Sequence, residues 1–188
     1  MAAVASPAEF TFPAFYSLPP FFTLQPNRTV QAKQLSLWKQ LTLDYCAHSR
    51  TFLLDITEIG GESIFKNSKL QRQLSADGRR LLAEKLVADG AGVWCQTDSK
   101  AGHQRLLVLW RPVAEWASSI LKWAEDTGRI GSVETVFNLI EGSDTEDEIF
   151  HGIPRELMKL ALQDLERKQR AAIFHSTTGS EGVKFLPG

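Results

Sequence analysis

The feature that most limits what this chain can fold into is that it repeats itself. Trp38 and Trp116 stand 78 residues apart, while Leu81 with Leu160, Leu86 with Leu165 and Trp94 with Ile173 each stand 79 apart. A steady offset between apolar positions is the mark of one structural unit used twice. Each copy is then about 80 residues long, within the size range of a small autonomous domain.

The same order of elements is read in both copies. In the first, Leu35, Trp38, Leu41, Leu43, Tyr45 and Cys46 recur at helical spacing, so a helix is expected from Val30 to His48. A second helix is expected between Asp55 and Lys66. Ser75 stands where an N-cap belongs, with Asp77 in the first turn and Leu81, Leu82, Leu86 and Val87 on one face, and Gly90 ends this third helix. Val93–Cys95 and Leu106–Trp110 are short β-prone runs around a polar turn, which reads as a hairpin. The second copy begins after Arg111-Pro112. Trp116, Ile120, Leu121 and Trp123 mark its first helix; Ser132 is expected to cap a second through Val136, Phe137 and Ile140. Pro154 opens a third carrying Leu157, Leu160, Ala161 and Leu165. Ile173-Phe174 and Val183–Phe185 then form a hairpin around Thr177, Thr178, Gly179 and Gly182.

Three helices followed by a hairpin is the winged-helix variant of the helix-turn-helix. The expected fold is therefore α+β, mostly helical with small hairpins: two tandem winged-helix domains, residues 30–111 and 112–188, behind an arm, residues 1–29. The arm holds five of the eight prolines and five of the eleven phenylalanines, so neither a helix nor a central strand can form there, and an extended arm is expected. Within it Phe12-Pro13-Ala14-Phe15-Tyr16 and Leu18-Pro19-Pro20-Phe21-Phe22 are near-copies of one apolar-proline-x-aromatic-aromatic pattern. Stiff, extended, aromatic peptides lose little entropy on docking into apolar grooves. The alternative is that the arm packs back on its own first domain.

Charge and spacing weigh against several functions, with a winged-helix nucleic-acid-binding protein kept as the alternative because residues 30–110 carry eleven basic and eight acidic side chains. A DNA-reading winged helix inserts its third helix in the major groove, and phosphate contacts need a cationic face there. The third helix of the first unit instead balances Arg79, Arg80 and Lys85 against Asp77, Glu84 and Asp89. Residues 111–188 carry nine basic and thirteen acidic side chains, a net of −4 that repels nucleic acid. His48, His103, His151 and His175 are dispersed, and none shares a short motif with a nucleophile or ligand set, so no catalytic residue, cofactor or metal site is expected. Cys46 and Cys95 read as small core residues of a reducing compartment. The run Asp144-Thr145-Glu146-Asp147-Glu148 lacks the ligand alternation and glycine of a calcium loop, leaving a solvated acidic loop or a docking patch for a basic partner.

The stretches Leu18–Asn27, Lys69–Arg72, Asp144–Gly152 and Gly182–Phe185 closely resemble the vacuolar protein sorting-associated protein 25 family of ESCRT-II subunits. The resemblance implies two winged-helix domains and a non-catalytic, cytosolic adaptor recruited peripherally to endosomes, reaching the membrane only through its complex. It also implies that two copies of the chain join two larger subunits through proline-proline-x-aromatic motifs in the arm. On this chain those positions are Pro19, Pro20 and Phe22, with Phe21 at the variable place, and an imperfect first motif of Pro13, Phe15 and Tyr16 in which Ala14 replaces the second proline. Phe22 is expected to be the anchor that enters a groove on a larger subunit. The second domain is expected to recruit and activate an ESCRT-III subunit in sorting ubiquitinated cargo into multivesicular bodies, with Asp144, Glu146, Asp147 and Glu148 as its contacts.

Overall fold

A computed structural model describes residues 9–57, 64–95, 105–175 and 181–188. The chain divides into two compact units, Met1–Trp110 and Arg111–Gly188, so the arm belongs to the first unit rather than preceding it.

In unit 1 the first helix, α1 (Arg28–His48), starts two residues before the expected point because the Asn27 side chain accepts hydrogen bonds from the backbone N–H of Thr29 and Val30 at 3.0 and 3.2 Å. It buries Leu35, Trp38, Leu41 and Cys46. Helix α2 (Ala76–Ala88) is capped by Ser75, whose hydroxyl accepts from the Gly78 N–H at 3.2 Å. Strand β1 (Leu53–Asp55) joins β4 (Gly92–Trp94) and β5 (Arg105–Val108) in an antiparallel sheet with β5 in the middle. Two-residue strands β2 (Lys66–Asn67) and β3 (Arg72–Gln73) pair separately.

The expected helix between Asp55 and Lys66 is therefore corrected at both ends. Leu53-Leu54-Asp55 pairs with Leu107-Leu106-Arg105, and Lys66 lies in a β ladder, while residues 58–63 fall outside the described part. Arg79, read above as a surface cation of the third helix, is 4% exposed. Its guanidinium donates to the carbonyls of Ile56, Leu74 and Thr57 at 2.7, 3.0 and 3.3 Å and so ties the irregular segment before α2 to that helix. Burial lowers its pKa, opposed by the nearby Asp55 carboxylate.

Unit 2 repeats the order. Helix α3 (Val113–Asp126) buries Trp116, Ala117, Ile120, Trp123 and Ala124. Strand β6 (Val133–Thr135), helix α4 (Val136–Glu141) and helix α5 (Arg155–Arg167) precede strands β7 (Ala171–His175) and β8 (Glu181–Phe185). The sheet order β6-β8-β7 places the last strand centrally, as in unit 1. The expected Ser132 cap is corrected: Val133–Thr135 pairs with Lys184–Gly182, and Thr135 caps α4 by accepting from the Asn138 N–H at 3.0 Å. The buried side of α4 is Val136 and Leu139, leaving Phe137 65% exposed. Pro154 sits at the N-cap of α5, just before its first turn. In both units the third strand of the sheet comes from the segment between the first helix and the rest.

Candidate docking surfaces

The arm is neither extended nor free. Ala14–Ser17 and Pro19–Phe22 form two short 3-10 turns, the second with proline in its opening positions, where a missing N–H costs nothing. Both turns lie against α1. Phe21 stacks on Trp38 with ring centroids 4.4 Å apart and planes 12° from parallel, while Phe22 meets the same indole edge-on at 5.5 Å. Such pairs add about 0.5–1.5 kcal/mol beyond the area they bury. Tyr16, Phe21 and Phe22 join the core with Trp38, Phe65 and Leu74, and Phe22 is 2% exposed. The expectation that Phe22 stands outside the fold is thereby corrected: the proline-opened turn Pro19–Phe22 brings both adjacent rings onto Trp38.

Polar contacts fix the arm as firmly as the rings do. The Tyr16 hydroxyl is shared between the carbonyls of Ile64 and Lys66 at 3.0 and 3.1 Å, and the Asn67 amide donates to the Tyr16 carbonyl at 3.1 Å. Burial first, then the neighbouring Tyr45, pushes the Tyr16 phenol up to about 12. The Gln34 side chain, 6% exposed, donates to the carbonyls of Pro20, Phe21 and Thr23 at 3.3, 2.9 and 2.8 Å, and the Trp38 indole N–H donates to Phe21 at 3.0 Å. Leu18, Pro19 and Pro20 face outward, Leu18 with 56% exposure. Pro13 and Phe15 are half-buried.

The acidic run of unit 2 is a folded corner. A single 3-10 turn spans Ser143–Thr145, and Thr145 is buried. Asp144 pairs with Arg129 at 2.6 Å, and the same guanidinium reaches Glu134 at 2.7 Å, so Asp144 is not a free carboxylate. Glu146 and Asp147 are exposed and Glu148 half-buried. His151, whose Nδ1 lies 3.0 Å from the Thr145 hydroxyl, holds the corner from the far side. Next to it a groove of about 870 Å³ is lined by Val136, Phe137, Ile140, Ile153 and Pro154, with Glu141 in its wall. Among the described residues no three histidine, cysteine, aspartate or glutamate side chains gather as a metal site, and no helix is long and apolar enough to cross a membrane. His103 lies outside the described residues.

A family model described as ESCRT-II complex subunit matches residues 15–154, which run from the first arm turn to the start of α5. The chain belongs to the ESCRT-II complex subunit family. Members of that family are structural subunits and not enzymes. The vacuolar protein-sorting-associated protein 25 of Xenopus laevis is 37% identical over 151 residues, covering 80% of this chain and 84% of that protein. Its counterpart in Arabidopsis thaliana is 37% identical over 150 residues, covering 79% and 80%. Among solved structures, subunit VPS25 of the endosomal trafficking complex ESCRT-II superposes with a TM-score of 0.81 at 26% identity, covering 93% of this chain and 98% of that one. The endosomal complex ESCRT-II (VPS22/VPS25/VPS36) gives 0.78 at 28% identity, with the same coverage.

Within this ESCRT-II subunit fold, the helices that read DNA in other winged-helix proteins are neutralised by their own units. On α5, Arg155 and Lys159 both bind Glu181 at 2.9 and 2.8 Å, and Arg167 and Lys168 both bind Asp164 at 2.8 and 2.6 Å. On α2, Arg79 is buried, Arg80 lies 3.8 Å from Glu84, and Lys85 binds Asp89 at 3.1 Å. The sequence signals that were missed are the polar residues on apolar faces: Gln34, one turn before Trp38, and Arg79, one turn before Leu82.

Proposed function

We propose that this chain is the small, non-catalytic subunit of an ESCRT-II complex, present in two copies, each joined to a larger subunit through the arm on unit 1. The observation that carries this reading is the outward Leu18-Pro19-Pro20 edge on a family fold whose solved relative assembles with VPS22 and VPS36. Proline edges of this kind suit aromatic-lined grooves. The residues of the docking arm are Pro13, Phe15, Tyr16, Pro19, Pro20, Phe21 and Phe22, of which Tyr16, Phe21 and Phe22 work from within, by holding the segment in place. Co-expression with the two larger subunits tests the reading. A stable particle containing two copies of this chain is expected by native mass spectrometry, and recovery of this chain alone would refute it.

Unit 2, in the same proposal, recruits and activates an ESCRT-III subunit for cargo sorting at the endosome, which the chain reaches only through its complex. A net charge of −4, the exposed Glu146 and Asp147, and the groove beside Phe137 suit a basic amphipathic helix. Opposite charge raises association rates more than final affinity. Replacing Asp144, Glu146 and Asp147 with serine should slow association and flatten its salt dependence, whereas Phe137→Ser should speed dissociation. Binding that ignores both changes would move the contact elsewhere. Nucleic-acid binding is disfavoured by the internal pairing of every basic side chain on α5.

A further inference from the structure

The arm segment Leu18–Thr23 has two chemically different faces. Its inner face is made of the Phe21 and Phe22 rings and of the carbonyls of Pro20, Phe21 and Thr23, all turned toward α1. Its outer face is made of Leu18, Pro19 and Pro20. Prolines have no N–H, so this stretch cannot be held by strand pairing and depends on donors that reach its carbonyls. Three of these hydrogen bonds come from the Gln34 side chain, and the Gln25 side chain and the Trp38 indole supply the other side-chain donors. The Gln34 amide reaches three arm carbonyls, and its own oxygen accepts from the Gln25 N–H at 3.2 Å, so that these hydrogen bonds of its carboxamide all go to the arm. Apolar packing alone would not set the register of the segment. Rings can slide along an indole face, whereas a buried carboxamide with both ends satisfied has one arrangement.

We infer that Gln34 is a positioning residue for assembly: it fixes the arm on α1 so that Leu18, Pro19 and Pro20 form a preformed ridge for an aromatic-lined surface on a larger ESCRT-II subunit. This rests on the arm being the element that meets that subunit. A segment already ordered before binding loses little further freedom when it docks, and the tightness of the complex then depends on Gln34 although Gln34 touches no partner. The partner surface is expected to be apolar and aromatic, because the ridge offers it two proline rings and a leucine and no backbone donor at either proline.

The test uses the full chain and the two larger subunits, with affinity measured by titration calorimetry and a photo-crosslinking residue placed at position 18. Leu18→Ser and Pro20→Ala should each weaken assembly by about tenfold or more while the melting temperature stays within error. Gln34→Leu should weaken assembly to a similar degree and make the arm sensitive to protease. Gln34→Glu supplies a reading that mere loss of stability would not: a carboxylate facing three carbonyls repels them, and a protonated carboxyl can donate to one. Assembly of Q34E should therefore recover as pH falls from 7.5 toward about 5, since a carboxyl ringed by carbonyl oxygens titrates above its ordinary value of about 4.3, while the native chain shows no such rise. Crosslinking at position 18 with undiminished affinity of Q34L would overturn the role of Gln34 and leave the docking arm standing. A complex that forms with no crosslink from position 18 would overturn both.

Discussion

The two units solve the same packing problem with different material. Each first helix carries a buried tryptophan, Trp38 in α1 and Trp116 in α3, whose indole must be covered. In unit 1 the cover is a whole segment of chain, with Phe21 and Phe22 against the ring. In unit 2 a guanidinium lies over it: Arg111 is 4.9 Å from the centre of the Trp116 ring, held there by Glu115 and Ser119 at 3.0 and 3.2 Å. The difference couples stability to assembly in unit 1, where the covering segment also bears the proposed docking ridge. In unit 2 the exposed Phe137 and its groove belong to α4 and the start of α5, not to the residue that lies over Trp116.

The sharpest way to break this comparison is to cut both covers back to alanine. Phe22→Ala removes a ring that is 2% exposed and should cost about 3–5 kcal/mol. In a unit of this size that lowers the melting temperature of unit 1 by more than about ten degrees. Arg111→Ala removes only a cation lying over the buried Trp116 ring and should cost unit 2 about 1 kcal/mol. Differential scanning calorimetry of the full chain should show the first change in one transition and the second in the other. Equal shifts for the two variants would mean that the arm covers unit 1 without stabilising it.

A second comparison concerns charge on α2 and α5. Each unit holds a carboxylate below its ordinary range beside its third helix: Asp89 through hydrogen bonds from Lys39 and then Lys85, and Glu181 through Lys159 and then Arg155. A depressed carboxyl contributes stability that is present above its unfolded value, here 4.5 for Glu181, and is lost as pH falls through the lower folded value. The melting temperature of unit 2 should accordingly drop on acidification below about pH 4.5, and Glu181→Gln should flatten that drop, at a cost near neutrality of about 1 kcal/mol because both cations are half in solvent. The same variant frees Arg155 and Lys159. Weak duplex-DNA binding with a salt slope near 2 should appear at low ionic strength. Its absence would show that other acidic groups of unit 2 already suffice to repel phosphate.

How far the sequence could be read follows from what is local. Helices α1, α2, α3 and α5 were legible because their apolar residues recur every three or four positions, and the duplication was legible because those recurrences match. Strands β1 and β6 were not: each is three residues long and is defined by pairing with a strand at the far end of its unit. The prolines announced that the arm is neither helix nor strand, yet they carry no information about what its rings meet. Burial of Phe22 depends on Trp38 and Gln34, which were visible only as one expected core residue and one unremarked polar residue. In the acidic corner, Asp144 looked free because Arg129, its partner, lies fifteen residues away across β6 and α4.

The smallest expected effect sets equivalent helix ends against each other. After α2 the chain turns through Gly90 at φ 69°, and after α5 the matching position is Gln169 at φ 58°. A left-handed backbone costs a residue with a Cβ about 1–2 kcal/mol, which glycine avoids, although glycine loses more freedom on folding. The net gain from Gln169→Gly should be about 0.5–1 kcal/mol, raising the unit 2 transition by a few degrees. Gly90→Gln should lower the unit 1 transition by a similar amount, and for the same reason alone, because a Cβ built at Gly90 meets nothing within 4 Å. Opposite and equal shifts are the signature of a purely backbone effect at a duplicated position. Should Gln169→Gly instead lower the transition, the glutamine side chain contributes more to unit 2 than its strained backbone costs, and the two helix ends have diverged in packing as well as in residue type.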